Sequence, residues 1–173
     1  KAERVWVLDR GIVSEENLDY LRQRGARYVV GTLKGLLRNF EREISLKDWD
    51  EVESGVEVKI VRHPDYGHEK FILCRSAGRK QKERAMLERQ VDRLDGEMQK
   101  IKAGIIAGRL RNVSRIERRI GKWMGRYPKA EGLIDVELNR DGDRPVDLKI
   151  TRRMERADWA EKANGCYLLR TNL

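Results

Sequence analysis

The stretch from residue 4 to residue 30 restricts the fold more than any other part of the chain. Arg4-Val-Trp-Val-Leu-Asp9 is a short apolar run ended by an acid and then Gly11, which predicts a buried strand running into a loop. A helix is expected at once. Ser14 can cap it, Val13 and Leu18 are spaced as a hydrophobic staple, Glu15 and Glu16 suit its positive end, and Gly25 stops it after Arg24. Leu18 and Leu21 would face the core. Ala26-Arg-Tyr-Val-Val30, closed by Gly31, reads as a second buried strand. A right-handed crossover makes two such strands parallel, and Asp9 then stands at the carboxyl end of its strand, the edge where open α/β sheets place ligands. From periodicity alone, however, an acid there reads first as a cap for the next loop.

Beyond Gly31 the pattern changes. Leu36, Leu37 and Phe40 suggest a short helix, Trp49 a packing anchor in the loop after it, and Val56–Val61 with Lys70–Cys74 a β-hairpin joined by His63-Pro-Asp-Tyr-Gly67. His63 and His68 flank Asp65 there, loosely as metal ligands do, although a solvated hairpin tip accounts for them better. Leu87, Val91, Leu94, Met98, Ile101 and Ile105 recur at steps of four and three, a heptad seam on one long helix whose end Gly104 and Gly108 mark. Ser114-Arg-Ile-Glu117 has the capping-box form, and Ile116, Ile120, Trp123 and Met124 give a second helix an apolar stripe that can fold back on the first. Leu133 to Ile150 then reads as another hairpin, turning at Asn139-Arg-Asp-Gly-Asp143, before a short helix around Trp159 and a last strand, Gly165-Cys-Tyr-Leu-Leu-Arg170.

With 173 residues the chain can bury one core, or a core with one inserted subdomain. Its net charge of +9 is concentrated: residues 75–126 hold 16 Lys/Arg against 6 Asp/Glu. Such a field suits a polyanion, DNA or RNA above all, and a solvated helical face is the plainer alternative. Cys74 and Cys166 each sit in an apolar run, as buried thiols in a reducing cytoplasm do. No apolar run approaches a membrane span, and Lys1-Ala-Glu-Arg-Val5 resembles neither a signal peptide nor an initiator context, so a longer parent protein is expected.

Trp-Val-Leu-Asp-Arg-Gly (6–11), Val-Ser-Glu-Glu-Asn (13–17), Arg-Gly-Ala-Arg-Tyr-Val-Val-Gly-Thr (24–32) and Gly-Cys-Tyr-Leu-Leu-Arg-Thr-Asn (165–172), in this order, closely resemble bacterial insertion-sequence transposases. The subgroup is the fourth insertion-sequence family and its close relatives, which share the DDE catalytic domain. Phe-Ile-Leu-Cys-Arg-Ser (71–76), Lys-Glu-Arg-Ala-Met (82–86) and the basic helices extend the likeness over nearly the whole chain. The resemblance implies an α/β chain, α+β overall: residues 1–31 as part of a ribonuclease H-like core, 32–164 as an insertion subdomain of β-hairpins with a helical hairpin at about 78–126, and 165–173 as a strand returning to the core.

It also implies chemistry. Three acids bind two divalent metals, Mg²⁺ or Mn²⁺, that activate water or a 3′-hydroxyl for in-line attack on a phosphodiester. Asp9 matches the second acid, catalytic and metal-binding. The first is expected before Lys1 and the glutamate beyond Leu173, so this fragment alone should be inactive and hold no metal pair. Double-stranded DNA, as transposon ends and target, is the implied partner, with a homodimer in a synaptic complex, in the bacterial cytoplasm and on the nucleoid.

Among candidate DNA contacts, Arg10 either bridges a phosphate or holds Asp9, and Lys34 and Arg38 lie just past the second strand. Tyr167 stands where some relatives stack an aromatic on a displaced base, although core packing explains it better. Arg79, Lys80, Lys82, Arg84, Arg109, Arg111, Arg115, Arg118, Arg119 and Lys122 are the basic residues expected on the DNA backbone. Two other classes remain open: a non-catalytic nucleic-acid-binding module, and a helical-hairpin interaction protein.

Overall fold

A computed structural model of the chain describes residues 4–11, 14–62, 67 and 69–173. Val13, with its staple to Leu18, lies outside them, as do His63, Asp65 and His68. The elements in chain order are β1 (Val5–Leu8), α1 (Glu15–Gln23), β2 (Arg27–Gly31), a 3₁₀ helix (Lys34–Phe40), α2 (Glu41–Ser45), β3 (Asp50–Glu53), β4 (Val56–Val61), β5 (Lys70–Ser76), α3 (Ala77–Ile106), α4 (Val113–Arg126), α5 (Pro128–Glu131), β6 (Ile134–Asp141), β7 (Arg144–Arg152), α6 (Met154–Ala163) and β8 (Cys166–Thr171). The fold is thus mixed α/β, with one mixed six-stranded sheet and one separate hairpin. It forms two compact units: Lys1–Gln81 with Lys162–Leu173, and Lys82–Glu161.

The first unit is built on the sheet, in the order β1-β2-β8-β5-β4-β3. β1 and β2 are parallel, with Leu8 beside Val30, and every other pairing in this sheet is antiparallel. Ser14 caps α1 by accepting from the Asn17 amide at 3.2 Å, and Gly25 ends the turn beyond it with φ +63°. Leu18 packs on Tyr28 and Val30, with Leu8 and Leu21 at the margin. One expectation fails here. β1 is not buried: Val5, Trp6 and Val7 are 41%, 50% and 77% exposed. Its apolar residues specify extended backbone, but it is the edge of the sheet, paired on one side only among the described residues.

A polar group is buried inside this unit. The Glu69 carboxylate accepts hydrogen bonds from Tyr28 Oη, from Arg22 at 3.1 Å and from Arg170 Nε, and Arg170 also reaches Glu15. Glu69 and Arg170 are both almost fully enclosed, so each offsets the other's desolvation. Burial, reinforced by the bond to Glu69, pushes the Tyr28 hydroxyl up to about 12. The bond from Arg170 holds the Glu15 carboxyl below its usual range.

In the second unit the heptad seam becomes the core. Val91, Leu94, Met98, Ile101 and Ile105 of α3 are buried with Ile116 of α4, Ile134 of β6 and Leu148 of β7, so the seam is satisfied within the chain. Trp123 packs at the edge of this cluster, stacked on Tyr127 with ring centroids 6.3 Å apart. Each enclosed aliphatic side chain contributes about 1.5–3 kcal/mol. The expected capping box is displaced: Asn112, not Ser114, caps α4, accepting from the Arg115 amide at 2.9 Å. The β6–β7 turn is also tighter than expected, with Asp141 already paired to Arg144. Both cysteines are buried and neither is in a disulfide, and no helix among the described residues is long and apolar enough to cross a membrane.

Candidate functional site

β1 and β2 end side by side. Gly31 lies so close to the β1 exit that a Cβ there would meet the Arg10 backbone nitrogen at 3.4 Å. Thr32 extends the contact with β8, its amide and its hydroxyl each donating to the Leu168 carbonyl at 3.0 Å. The chain then turns into the 3₁₀ helix, which starts at Lys34. On the far side of β8, Ser76 Oγ receives the Arg79 amide at 3.4 Å, which sets Arg79 in the first turn of α3. The start of α3 sits against β8 because the residue facing it is Gly165, whose carbonyl accepts from the Ser76 amide at 3.0 Å.

These constraints form one cleft of about 380 Å³ at the carboxyl ends of β1 and β2. Asp9, Arg10, Lys34, Arg79 and Tyr167 line it, with Thr32, Leu168 and Leu169. The Arg79 guanidinium lies 5.2 Å from the Tyr167 ring centroid, a cation–π contact that holds both in place. Burial, reinforced by the neighbouring Cys74, raises the Tyr167 hydroxyl above its ordinary value. Asp9 Oδ1 accepts from the adjacent Arg10 amide at 2.7 Å. Its side chain still borders the cleft, and Arg10 makes no ion pair with it among the described residues.

The lining has a definite electrostatic character: one carboxylate and three cations. That set favours an anion such as a phosphate, anchored beside Asp9 by Arg10, Lys34 and Arg79. It does not by itself fit a divalent metal, which takes several oxygen ligands. Among the described residues no group of three or more His, Cys, Asp or Glu is placed to hold one.

The other expected contacts are distributed elsewhere. Arg38 lies further along the 3₁₀ helix and pairs with Glu41 at 3.6 Å. Lys80 lines a separate pocket with Arg75, Lys162 and Cys166. Lys82 is exposed on α3, while Arg84 is held by Glu88 at 2.9 Å and Glu161 at 4.0 Å. Arg109, Arg111, Arg115 and Arg119 line a pocket around the α3–α4 turn. Arg118 and Lys122 are exposed on α4.

At 100° per residue, Arg115, Arg118, Arg119, Lys122 and Arg126 share about a third of the circumference of α4, on the side away from Ile120 and Met124. None of the five makes an ion pair among the described residues. Arg126 was not among the expected contacts, although its spacing from Arg115, Arg119 and Lys122 places it on the same stripe. No family model, curated protein or solved structure matches the chain.

Proposed function

We propose that the chain is part of a DDE transposase that cleaves DNA phosphodiesters and transfers strands during movement of an insertion sequence. In this reading β1, α1 and β2 belong to a ribonuclease H-like core, and Asp9 is one of three catalytic carboxylates. The observation that carries it is the convergence of Asp9 with Arg10, Lys34 and Arg79 in one cleft beyond a parallel strand pair. The cations bind and orient the phosphodiester, and Asp9 supplies one anionic oxygen ligand beside it. The two-metal chemistry that the sequence resemblance implies needs two further acids, which the described residues of this cleft do not supply.

The test uses the full parent protein with Mg²⁺ or Mn²⁺ and a transposon-end duplex. A metal ligand in such a site is worth several kcal/mol in the transition state, so Asp9→Asn should lower cleavage by about a thousand-fold or more while DNA affinity stays within about threefold. Cleavage at the wild-type rate would refute the role of Asp9. The exposed basic stripe of α4 favours a second reading, a non-catalytic nucleic-acid-binding module, which predicts DNA binding by a parent protein that cuts no DNA with either metal.

A further inference from the structure

The α3–α4 turn is built with unusual constraint for an exposed connection. Leu110 tucks into a notch at Gly104, where a Cβ would stand 2.8 Å from Leu110 Cδ1. The Arg109 and Leu110 amides both donate to the Gly104 carbonyl, at 2.9 and 3.0 Å, and Gly108 takes the left-handed conformation at φ +68°. Arg111 is braced by its own Nε, which donates to the Gly108 carbonyl at 2.7 Å, and Asn112 then caps α4.

Around this fixed turn, Arg109, Arg111, Arg115 and Arg119 line a cavity of about 440 Å³ with Leu110, Asn112 and Ile116. No carboxylate lines it. The acid of α4, Glu117, lies toward Arg140, 3.9 Å away. Four guanidinium groups of like charge around one concavity, with Arg111 braced on the turn, repel one another, and an anion between them removes that repulsion. One amide of the helix start is already taken, since Arg115 N donates to Asn112 Oδ1, and the four guanidinium groups carry the charge of the cavity.

We propose that this cavity is a preorganised seat for one backbone phosphate of double-stranded DNA, so that the tip of the helical hairpin, not only its flank, engages the duplex. The proposal rests on the reading that this chain acts on DNA, and it adds a particular contact. A shared seat and four separate contacts differ in salt dependence. Each neutralised phosphate contributes about 0.9 to the slope of log affinity against log salt. Four arginines on one phosphate contribute about 0.9 in total, and four independent contacts about four times as much.

The experiment is fluorescence polarisation of the 173-residue chain with a labelled duplex of arbitrary sequence, at about 50 to 200 mM salt. The variant Arg109→Gln/Arg111→Gln/Arg115→Gln/Arg119→Gln changes only exposed side chains and should fold. It should bind about 10- to 100-fold more weakly at low salt, with the slope reduced by about one unit. Gly108→Val, which rebuilds the turn and removes no charge, should give the same slope change with the helical signal by circular dichroism intact.

A slope reduced by more than about three units would overturn the shared seat in favour of independent contacts. Unchanged affinity in the fourfold variant, or no DNA binding at low salt, would overturn it altogether. Loss of cleavage in Asp9→Asn of the parent, beside an unaffected fourfold variant, would remove the seat and leave the proposed function standing.

Discussion

Gly165→Ala should be the most disruptive single-methyl change in the first unit. Gly165 has φ +78°, where an L side chain costs about 1–2 kcal/mol. The added Cβ would also stand 2.6 Å from the Ser76 carbonyl oxygen and 2.9 Å from Lys80 Cα, both backbone atoms that cannot rotate aside. Overpacking of that kind adds about 1–3 kcal/mol, for a total of about 2–5 kcal/mol. Gly25→Ala, in the same unit, is the control. Its φ is +63° and nothing lies within 4 Å of its Cβ position, so it bears the conformational cost alone. Urea titration followed by hydrogen exchange of β5 and β8 amides reads this unit directly. With a slope of about 1–3 kcal/mol per molar, Gly165→Ala should lower the midpoint by about 1–2 M, and Gly25→Ala by about half that or less. Equal shifts would show that the start of α3 does not press on β8, and the positioning of Arg79 beside Tyr167 would need another explanation.

Three further outcomes follow from the packing. Glu69→Gln breaks a buried charge group with Arg170, so it should cost about 3–5 kcal/mol by thermal or chemical denaturation, whereas Glu137→Gln, in an exposed pair with Lys149, should cost under about 1 kcal/mol; equal costs would contradict the burial of Glu69. Burial pushes the Cys74 thiol from 9.0 up to about 11, and an acid with a raised folded value stabilises the fold below its ordinary value and loses that contribution as pH rises through the folded one. Stability should therefore fall as pH rises from about 9 to about 11, and Cys74→Ala should flatten that limb in melting curves; an unchanged limb would refute the assignment. Arg79→Ala should weaken duplex binding by the parent protein and, by uncovering Tyr167, raise the quenching of its fluorescence by iodide; unchanged quenching would mean that the cation–π contact is not formed.

How far these features can be read from sequence depends on whether their determinants are local. Ser14, Leu18 and Gly25 specify α1 through contacts within a few residues, and they stand where spacing places them. The exposure of β1 depends instead on how many strands flank it, which Val5, Trp6 and Val7 do not encode. On β4 the strongest apolar residue, Ile60, is 67% exposed, and Lys59 is buried. Its ammonium group donates to the Glu43 carbonyl and to Asp48 and lies 5.1 Å from the Trp49 ring centroid, partners supplied by α2 and the loop beyond it. The cap of α4 depends on distant contacts in the same way. Ser114 and Asn112 are both competent caps, and the choice between them is made by Leu110 filling the notch at Gly104.

The cleft divides along the same line. Asp9, Arg10 and Lys34 are legible because two strand ends and a glycine bring them together within one strand–helix–strand unit. Arg79 and Tyr167 join them only because β8 inserts between β2 and β5, pairing Leu169 with Gly31 on one side and with Ile72 on the other. That insertion fixes which end of β8 faces Asp9, and Gly165 then decides how closely α3 can approach. A charge count along the chain places Arg79 with the basic helices. The sheet order takes it out of that group and sets it in the cleft that Asp9 lines, so on the proposed function its substitution should alter how a phosphodiester is held at Asp9 more than how strongly the helical hairpin binds a duplex.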